Sequence, residues 1–406
     1  MDHARLRLPL ALVAAVAVAQ GGVLALRPRA GVIEPAPVSA GSYFSAEQIE
    51  RARDYRRPGR AIYGAQLVLQ GGLLVVLALR APRLLRHSWR RPALGGAAVA
   101  ASLSLALGVA SLPLSALSRQ RAIDVGLATQ SWPGWGLDVA KSGAIGAGMA
   151  GVGGAVGLVL MRRWPRHWWA PASALAVVVS AGFLFAGPVV LDPLFNRFQP
   201  LAAGPARADV MELARRAGVK VGEVYEIDAS RRTTAANAYV TGLGATKRVV
   251  LYDNLLTEFT REEQRQVVAH ELAHVRHRDL GRGLLYVAVV APFALLAVQR
   301  LAERLPGHSG TPAALPAVAL ALAAVSTVAG TISNQLSRRV EARADSFALS
   351  LTEAPRSFID FEQRITVRNV SDPDPPAWVT ALLGTHPPAV ERIGAAVAFE
   401  RERAGG

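Results

Sequence analysis

Seven apolar stretches with few or no charges, at 9–26, 62–79, 93–117, 142–161, 168–191, 283–298 and 311–332, constrain the fold of this chain more than any other feature. Each comes near the roughly 20 residues that a helix needs to cross the hydrocarbon core of a bilayer. Six of the seven tryptophans (Trp89, Trp132, Trp135, Trp164, Trp168 and Trp169) flank these stretches, where an amphipathic ring can sit at the lipid headgroups. The expected fold is therefore a mainly α membrane protein of about seven transmembrane helices. A hydrophobic share of 51% and a mean hydropathy of +0.26 over 406 residues agree with it. The first stretch follows a basic MDHARLRL and contains AVA at 17–19, as a cleaved signal peptide would. Its apolar run continues to Leu26, which favours a retained helix.

A formal charge of +15 raises nucleic acid as a partner, but the arginines gather beside the apolar stretches, as in RAPRLLRHSWRRP (80–92). Juxtamembrane anchoring explains such clusters better, so the expected partner is the lipid bilayer and no nucleic acid. With no cysteine, the chain has neither a disulfide framework nor a thiolate metal site. Any metal must be held by His, Asp or Glu.

Five spans and an amphipathic first loop make up a membrane region, 1–191, and a second region, 192–406, contains the other two. Outside the spans, the long polar segment 192–282 and the C-terminal segment from about Asn334 carry the chemical residues. Two crossings separate these segments, so they face the same side and can build one site. In the polar segment, 206–219 has helical spacing and VGEVYEID (221–228) reads as a strand. NAYVT (237–241) and KRVVLYD (247–253) flank GLGAT as a hairpin. Thr260 with Glu263 forms a capping box that starts a helix running to about Asp279. In the first loop, SAEQIERARDYRRPGRA (45–61) reads as an interfacial amphipathic helix capped by Ser45 and ended near Pro58. Asp138 and Lys141, spaced i,i+3, read either as a pair at the edge of the fourth span or as the lining of a polar cavity between helices.

The capped helix carries VVAHELAHVRHRD (267–279). His270 and His274 lie one turn apart on one face, so their imidazoles can converge on one ion about 2 Å from each nitrogen. Glu271 can then act on the attacking water as general base. At ordinary His and Glu frequencies a chain of this length matches HEXXH by chance in roughly one case in a hundred, so a third ligand must support the motif. His277 shares the face, but it lies about 10 Å along a straight helix from His270, too far to share the ion. Glu341 in SRRVEARADSFA is a better candidate, with Asp345 one turn on, placed to orient a ligand or to act on the scissile bond. The same residues with Arg338 also read as an exposed salt-bridge ladder, and spacing alone does not decide between the two.

These blocks together resemble the type I CAAX prenyl proteases, their prokaryotic relatives and the related heat-shock membrane proteases, in which HEXXH is followed by EXXAD after two membrane helices. DPLFNRFQPL (192–201), NAYVTGLG (237–244), RVVLYDNLL (248–256), SRRVEARAD (337–345) and THPPAVERI (385–393) stand in the family's order, and YFSAEQIERARDYRR resembles the N-terminal region of the prenyl protease branch. The resemblance covers nearly the whole chain. It implies a small α/β zinc-metalloprotease portion on the membrane helices and one Zn2+ per chain on His270, His274 and Glu341. It further implies Glu271 as catalytic base, Asp345 in the proton-donor position and His386 near the substrate, where it could steady the oxyanion. A polypeptide substrate would bind as an extended strand on NAYV, with Asn237, Ala238, Tyr239 and Arg392 as candidate contacts. Of these, Asn237 is the side chain expected to reach substrate, and Tyr239 is expected to pack.

The expected function is hydrolysis of peptide bonds in membrane-associated or lipid-modified polypeptides. A general membrane quality-control protease is the alternative within enzymes, and a non-catalytic metal-binding scaffold or transporter the alternative outside them. The Ala, Arg and Gly bias points to a bacterial cell membrane, where prenylated substrates are not expected. Arginine counts in the short loops lean towards an external catalytic face; the resemblance implies a cytoplasmic one.

Overall fold

The computed structural model describes residues 3–85, 89–242, 247–307 and 309–405. Among these, seven helices are long and apolar enough to cross a membrane. They are α1 (His3–Leu26), α2 (Ala46–Leu84), α3 (Pro92–Asp124), α4 (Trp132–Arg163), α5 (Trp169–Val190), α9 (Asp279–Ala302) and α10 (Leu315–Thr352), and each expected span falls on one of them. Val13, Val68, Val109, Val152 and Val178 are exposed on their outer faces, a distribution suited to lipid. The first stretch is an integral part of the bundle: Ala19 and Val23 of α1 pack on Tyr286 and Val290 of α9. Small residues let α3 and α4 touch backbone to backbone. A Cβ on Gly154 would lie 2.4 Å from that of Ala100 and 2.6 Å from the carbonyl oxygen of Gly96.

The first loop departs from expectation. The helix capped by Ser45 runs through Pro58 without a break and becomes the second span, α2. Proline has no N–H to give to the carbonyl four residues back, which here belongs to Asp54. Arg121 of α3 supplies that donor, its Nη2 lying 2.8 Å from the Asp54 oxygen. Asp138 also finds a partner that local pattern does not reveal. Its carboxylate accepts from Gln130 at 2.5 Å and lies 3.0 Å from Arg232 but 4.0 Å from Lys141, so Arg232 and not Lys141 pairs with it and ties α4 to the polar segment.

The polar segment folds into a four-stranded sheet of order β1-β2-β4-β3, from β1 (Phe198–Pro200), β2 (Val224–Ile227), β3 (Ala238–Thr241) and β4 (Arg248–Tyr252). The expected hairpin is the antiparallel pair β3–β4, with Ala238 opposite Leu251; its connection 243–246 lies outside the described residues. β4 also pairs in parallel with β2, leaving β3 as an edge strand. Val210 and Leu213 of α6 (Pro205–Arg216) share a core with Val249 and Leu251, with Leu255 of α7 (Asp253–Glu258), with Val268 and Leu272 of α8 (Arg261–Arg276), and with Phe361 of α11 (Pro355–Arg368).

The capping box of α8 is formed on both sides: the Thr260 hydroxyl accepts from the N–H of Glu263, and the Glu263 carboxylate from that of Thr260. The helix stops sooner than expected. Arg278 takes a left-handed conformation (φ 55°), which ends the ladder and makes Asp279 the first residue of α9. An acid there complements the positive end of the helix dipole. α10 continues unbroken from the seventh span to Thr352. Behind it, the connection between α1 and α2 lies across α10 and α13 (Ala389–Gly405). Ile33 donates its N–H to Ser346 Oγ, and Ala36 donates its own to the carbonyl of Gly394. Only glycine fits at 394, since a Cβ would fall 2.3 Å from the Ala36 oxygen.

Candidate metal centre

Three side chains from two helices meet where α8 packs on α10. His270 Nε2 lies 3.3 Å from His274 Nε2 and 3.1 Å from Glu341 Oε2, and His274 Nε2 lies 3.7 Å from Glu341 Oε1. An ion bound tetrahedrally at about 2.1 Å from each donor separates them by about 3.4 Å, so these spacings fit one ion.

The outer nitrogens explain why the inner ones are free to coordinate. His270 Nδ1 lies 2.8 Å from Asp345 Oδ1, and His274 Nδ1 lies 3.1 Å from Asp279 Oδ2. A carboxylate only accepts, so each Nδ1 carries the proton and each Nε2 turns a lone pair to the common point. The electrostatics favour a cation there. Burial alone would lower His270, but its hydrogen bonds to Asp345 and Glu341 override that and raise it to about 10. Glu271 belongs to the same cluster, within 4.8 Å of both histidines. Its burial pushes its carboxyl up, against the pull of His270 and His274, which favours proton exchange.

Glu271 Oε2 also accepts the N–H of Val240 at 3.1 Å, which ties α8 to the edge strand β3. Of the expected substrate contacts, Asn237 is exposed at the head of β3, and its side-chain oxygen accepts from the Ala238 N–H. Ala238 is buried in the core under the sheet. Tyr239 packs edge-on against Tyr252 at 6.4 Å. A cavity of about 530 Å3 opens beside the donors, lined by Val240, Val275, Leu280 and Val340 as well as His274 and Glu341. His386 stands at the rim, 61% exposed, with Nε2 3.3 Å from Glu341 Oε2 and Nδ1 2.9 Å from the Thr385 hydroxyl. His277 lies away from the donors and packs on Phe347.

Two residues sit differently from expectation. Asp345 is 1% exposed, and both its oxygens are engaged, one by His270 and both by Arg392, so it stands behind the histidine and not at the open side. Arg392, expected among the substrate contacts, is turned inward onto Asp345 and Glu362. Asp279 had no expected role although it closes the HEXXH stretch. It holds His274 and is itself held by Arg343 at 2.5 Å and by Arg282. The spacing His274 to Asp279 would not reveal this, because on an unbroken helix Asp279 points away. Asp279→Asn is expected to weaken metal affinity about 10-fold to 100-fold, as for other partners of metal-bound histidines. Competition with a chelating dye measures it.

Comparison with known proteins bears on this geometry. A family model described as Peptidase family M48 matches residues 200–400, which include every donor above. The uncharacterized metalloprotease YhfN of Bacillus subtilis is 32% identical over 301 residues, covering 72% of this chain and 70% of its own. The chain belongs to peptidase family M48. It is therefore a membrane metalloprotease, with a metal cofactor implied by the family and a donor set that fits one. This M48 peptidase is also similar to CAAX prenyl protease 1 of Saccharomyces cerevisiae, 41% identical over 88 residues, 21% of this chain and 19% of that one. The rice CAAX prenyl protease 1 homolog is 28% identical over 237 residues, 56% and 55% of the two chains. The crystal structure of S. mikatae Ste24p shares the fold over 98% of this chain and 99% of that one, with a TM-score of 0.72 at 20% identity.

Proposed function

We propose that this M48 peptidase is a zinc endopeptidase that cleaves membrane-associated polypeptides held as an extended strand along β3. Its one Zn2+ per chain sits on His270, His274 and Glu341. The observation that carries the reading is the hydrogen bond from Val240 of the edge strand to Glu271, which puts a strand template directly beside the general base. An edge strand offers unpaired backbone groups to which a peptide can add, and that pairing would align the scissile bond with Glu271. Bound zinc would supply Lewis acidity to polarise the scissile carbonyl and acidify the attacking water. Glu271 takes the proton from that water and passes it to the leaving nitrogen. His386, exposed at the rim, donates from Nε2 to the oxyanion. Asp345 and Asp279 hold His270 and His274 in the coordinating tautomer.

The relatives named for prenyl proteins support a lipid-modified polypeptide as the substrate class, but the bacterial composition of this chain argues against a prenyl group. We place the M48 peptidase in a bacterial cell membrane with its site in the cytoplasm, and we divide it into a membrane region 1–191 and a peptidase region 192–406. The test is the purified full chain in liposomes with a membrane-anchored polypeptide. Cleavage that a chelator stops and zinc restores is expected, and cleavage that survives complete removal of metal would overturn the proposal.

A further inference from the structure

The charge behind the metal centre is larger than orienting His270 requires. Asp345 and Arg392 alone would make a neutral pair: Arg392 Nε lies 2.8 Å from Asp345 Oδ2, and Nη2 lies 2.5 Å from Oδ1. A third group is buried with them. Glu362 of α11 is 1% exposed, and its Oε1 lies 2.7 Å from Arg392 Nη1. Two acidic side chains therefore crowd one guanidinium: burial, with Asp345 nearby, raises the Glu362 carboxyl to about 7 against the pull of Arg392, and the Oε1–Nη1 approach is an ion-pair distance without hydrogen-bond alignment. No direct contact links Glu362 to a metal donor, and nothing in the peptidase reaction described above uses it.

We propose that Glu362 is a positioning residue for the metal, acting on His270 through Arg392 and Asp345. This role rests on the metal set proposed above. Arg392 presents one edge (Nε and Nη2) to Asp345 and its remaining nitrogen, Nη1, to Glu362. The two bonds to Asp345 set the plane of the guanidinium, and the Glu362 carboxyl packed against Nη1 limits how far that plane, and the carboxylate that holds His270 Nδ1, can shift. The ring beyond can then rotate only with the whole row. Arg392 alone would also draw off most of the negative charge of Asp345. Above about pH 7, where Glu362 is ionised, it competes for that guanidinium, so Asp345 remains a strong acceptor for His270 Nδ1. The row crosses four elements: α11, α13, α10 and α8. The C-terminal helices are thereby part of the coordination environment, although they supply no ligand.

The test uses the purified full chain loaded with zinc or cobalt. Glu362→Gln keeps an oxygen for Arg392 but removes the charge, and Glu362→Ala removes both. We expect zinc affinity, measured by dye competition, to fall about 10-fold in the Gln variant and further in the Ala variant. The d–d absorption of the cobalt-loaded Gln variant should shift, and Glu362→Asp should restore part of both. Asp is also the fallback if Gln or Ala fails to fold, because its shorter reach should still produce an intermediate spectrum and affinity. Unchanged affinity with an unchanged cobalt spectrum in the Gln variant would overturn the proposal, as would a wild-type cobalt spectrum in the Asp variant where that fallback is needed. Failure of the wild type to bind zinc at all would instead sink the metal assignment itself, so the two failures are distinguishable.

Discussion

Glu271→Gln is expected to retain zinc at wild-type affinity and to lose cleavage by at least about 10^3-fold, within the usual range for removal of a general base. The amide is nearly isosteric and can still accept the Val240 N–H, so β3 and α8 should stay in register. What it lacks is the capacity to take a proton. Burial raises the carboxyl of Glu271 while the two histidines lower it, so its proton affinity is set by the site. His386 is exposed and its Nε2 is engaged by Glu341 at 3.3 Å. Metal content by atomic emission and single-turnover cleavage check the two halves of this expectation. Full cleavage by a zinc-loaded Gln variant would remove Glu271 from the mechanism.

Glu341→Ala should act the other way, through the metal and not through proton transfer. Its carboxylate approaches both histidines and His386, so truncation removes the only acidic donor that α10 brings to the point of convergence. Two neutral imidazoles remain, and two-point ligation holds zinc far less tightly than three protein ligands. The expected result is a fall in zinc affinity of more than about 100-fold, beyond what loss of an outer partner causes. Activity should be partly recovered in excess zinc, as it should not be for Glu271→Gln. Equilibrium dialysis against buffered zinc measures the first effect, and a zinc titration of the rate measures the second. If Glu341→Ala kept stoichiometric zinc, the third ligand would have to lie elsewhere.

The features legible in the sequence were those written in one continuous stretch. Each span is a single apolar run, and the capping box and HEXXH sit within 15 residues of each other on α8. The β3–β4 hairpin is local as well. The parallel pairing of β2 with β4, by contrast, joins strands with β3 between them in the chain, and no periodicity announces it. The course of α2 through Pro58 is hidden for a related reason: the donor to the Asp54 carbonyl is Arg121, 67 residues on from Asp54. At the site, Asp279 was hidden by one left-handed residue, Arg278, because helical spacing points it away from His274. Arg392, a candidate substrate contact by resemblance alone, faces two buried acidic side chains that no local pattern places beside it.

The unbroken course of α10 gives the bilayer a mechanical hold on the chemistry. Its 38 residues form a rod of about 57 Å, and Glu341 lies about 27 Å beyond the centre of the apolar part. About such a pivot, a change of tilt of only about 5° would sweep the carboxylate through about 2.4 Å, more than the length of a zinc–ligand bond. His270 and His274 ride on α8, which is joined to a different rod, α9. Membrane thickness, which sets helix tilt, would therefore act on the angle between two levers whose tips carry the proposed ligands of one ion.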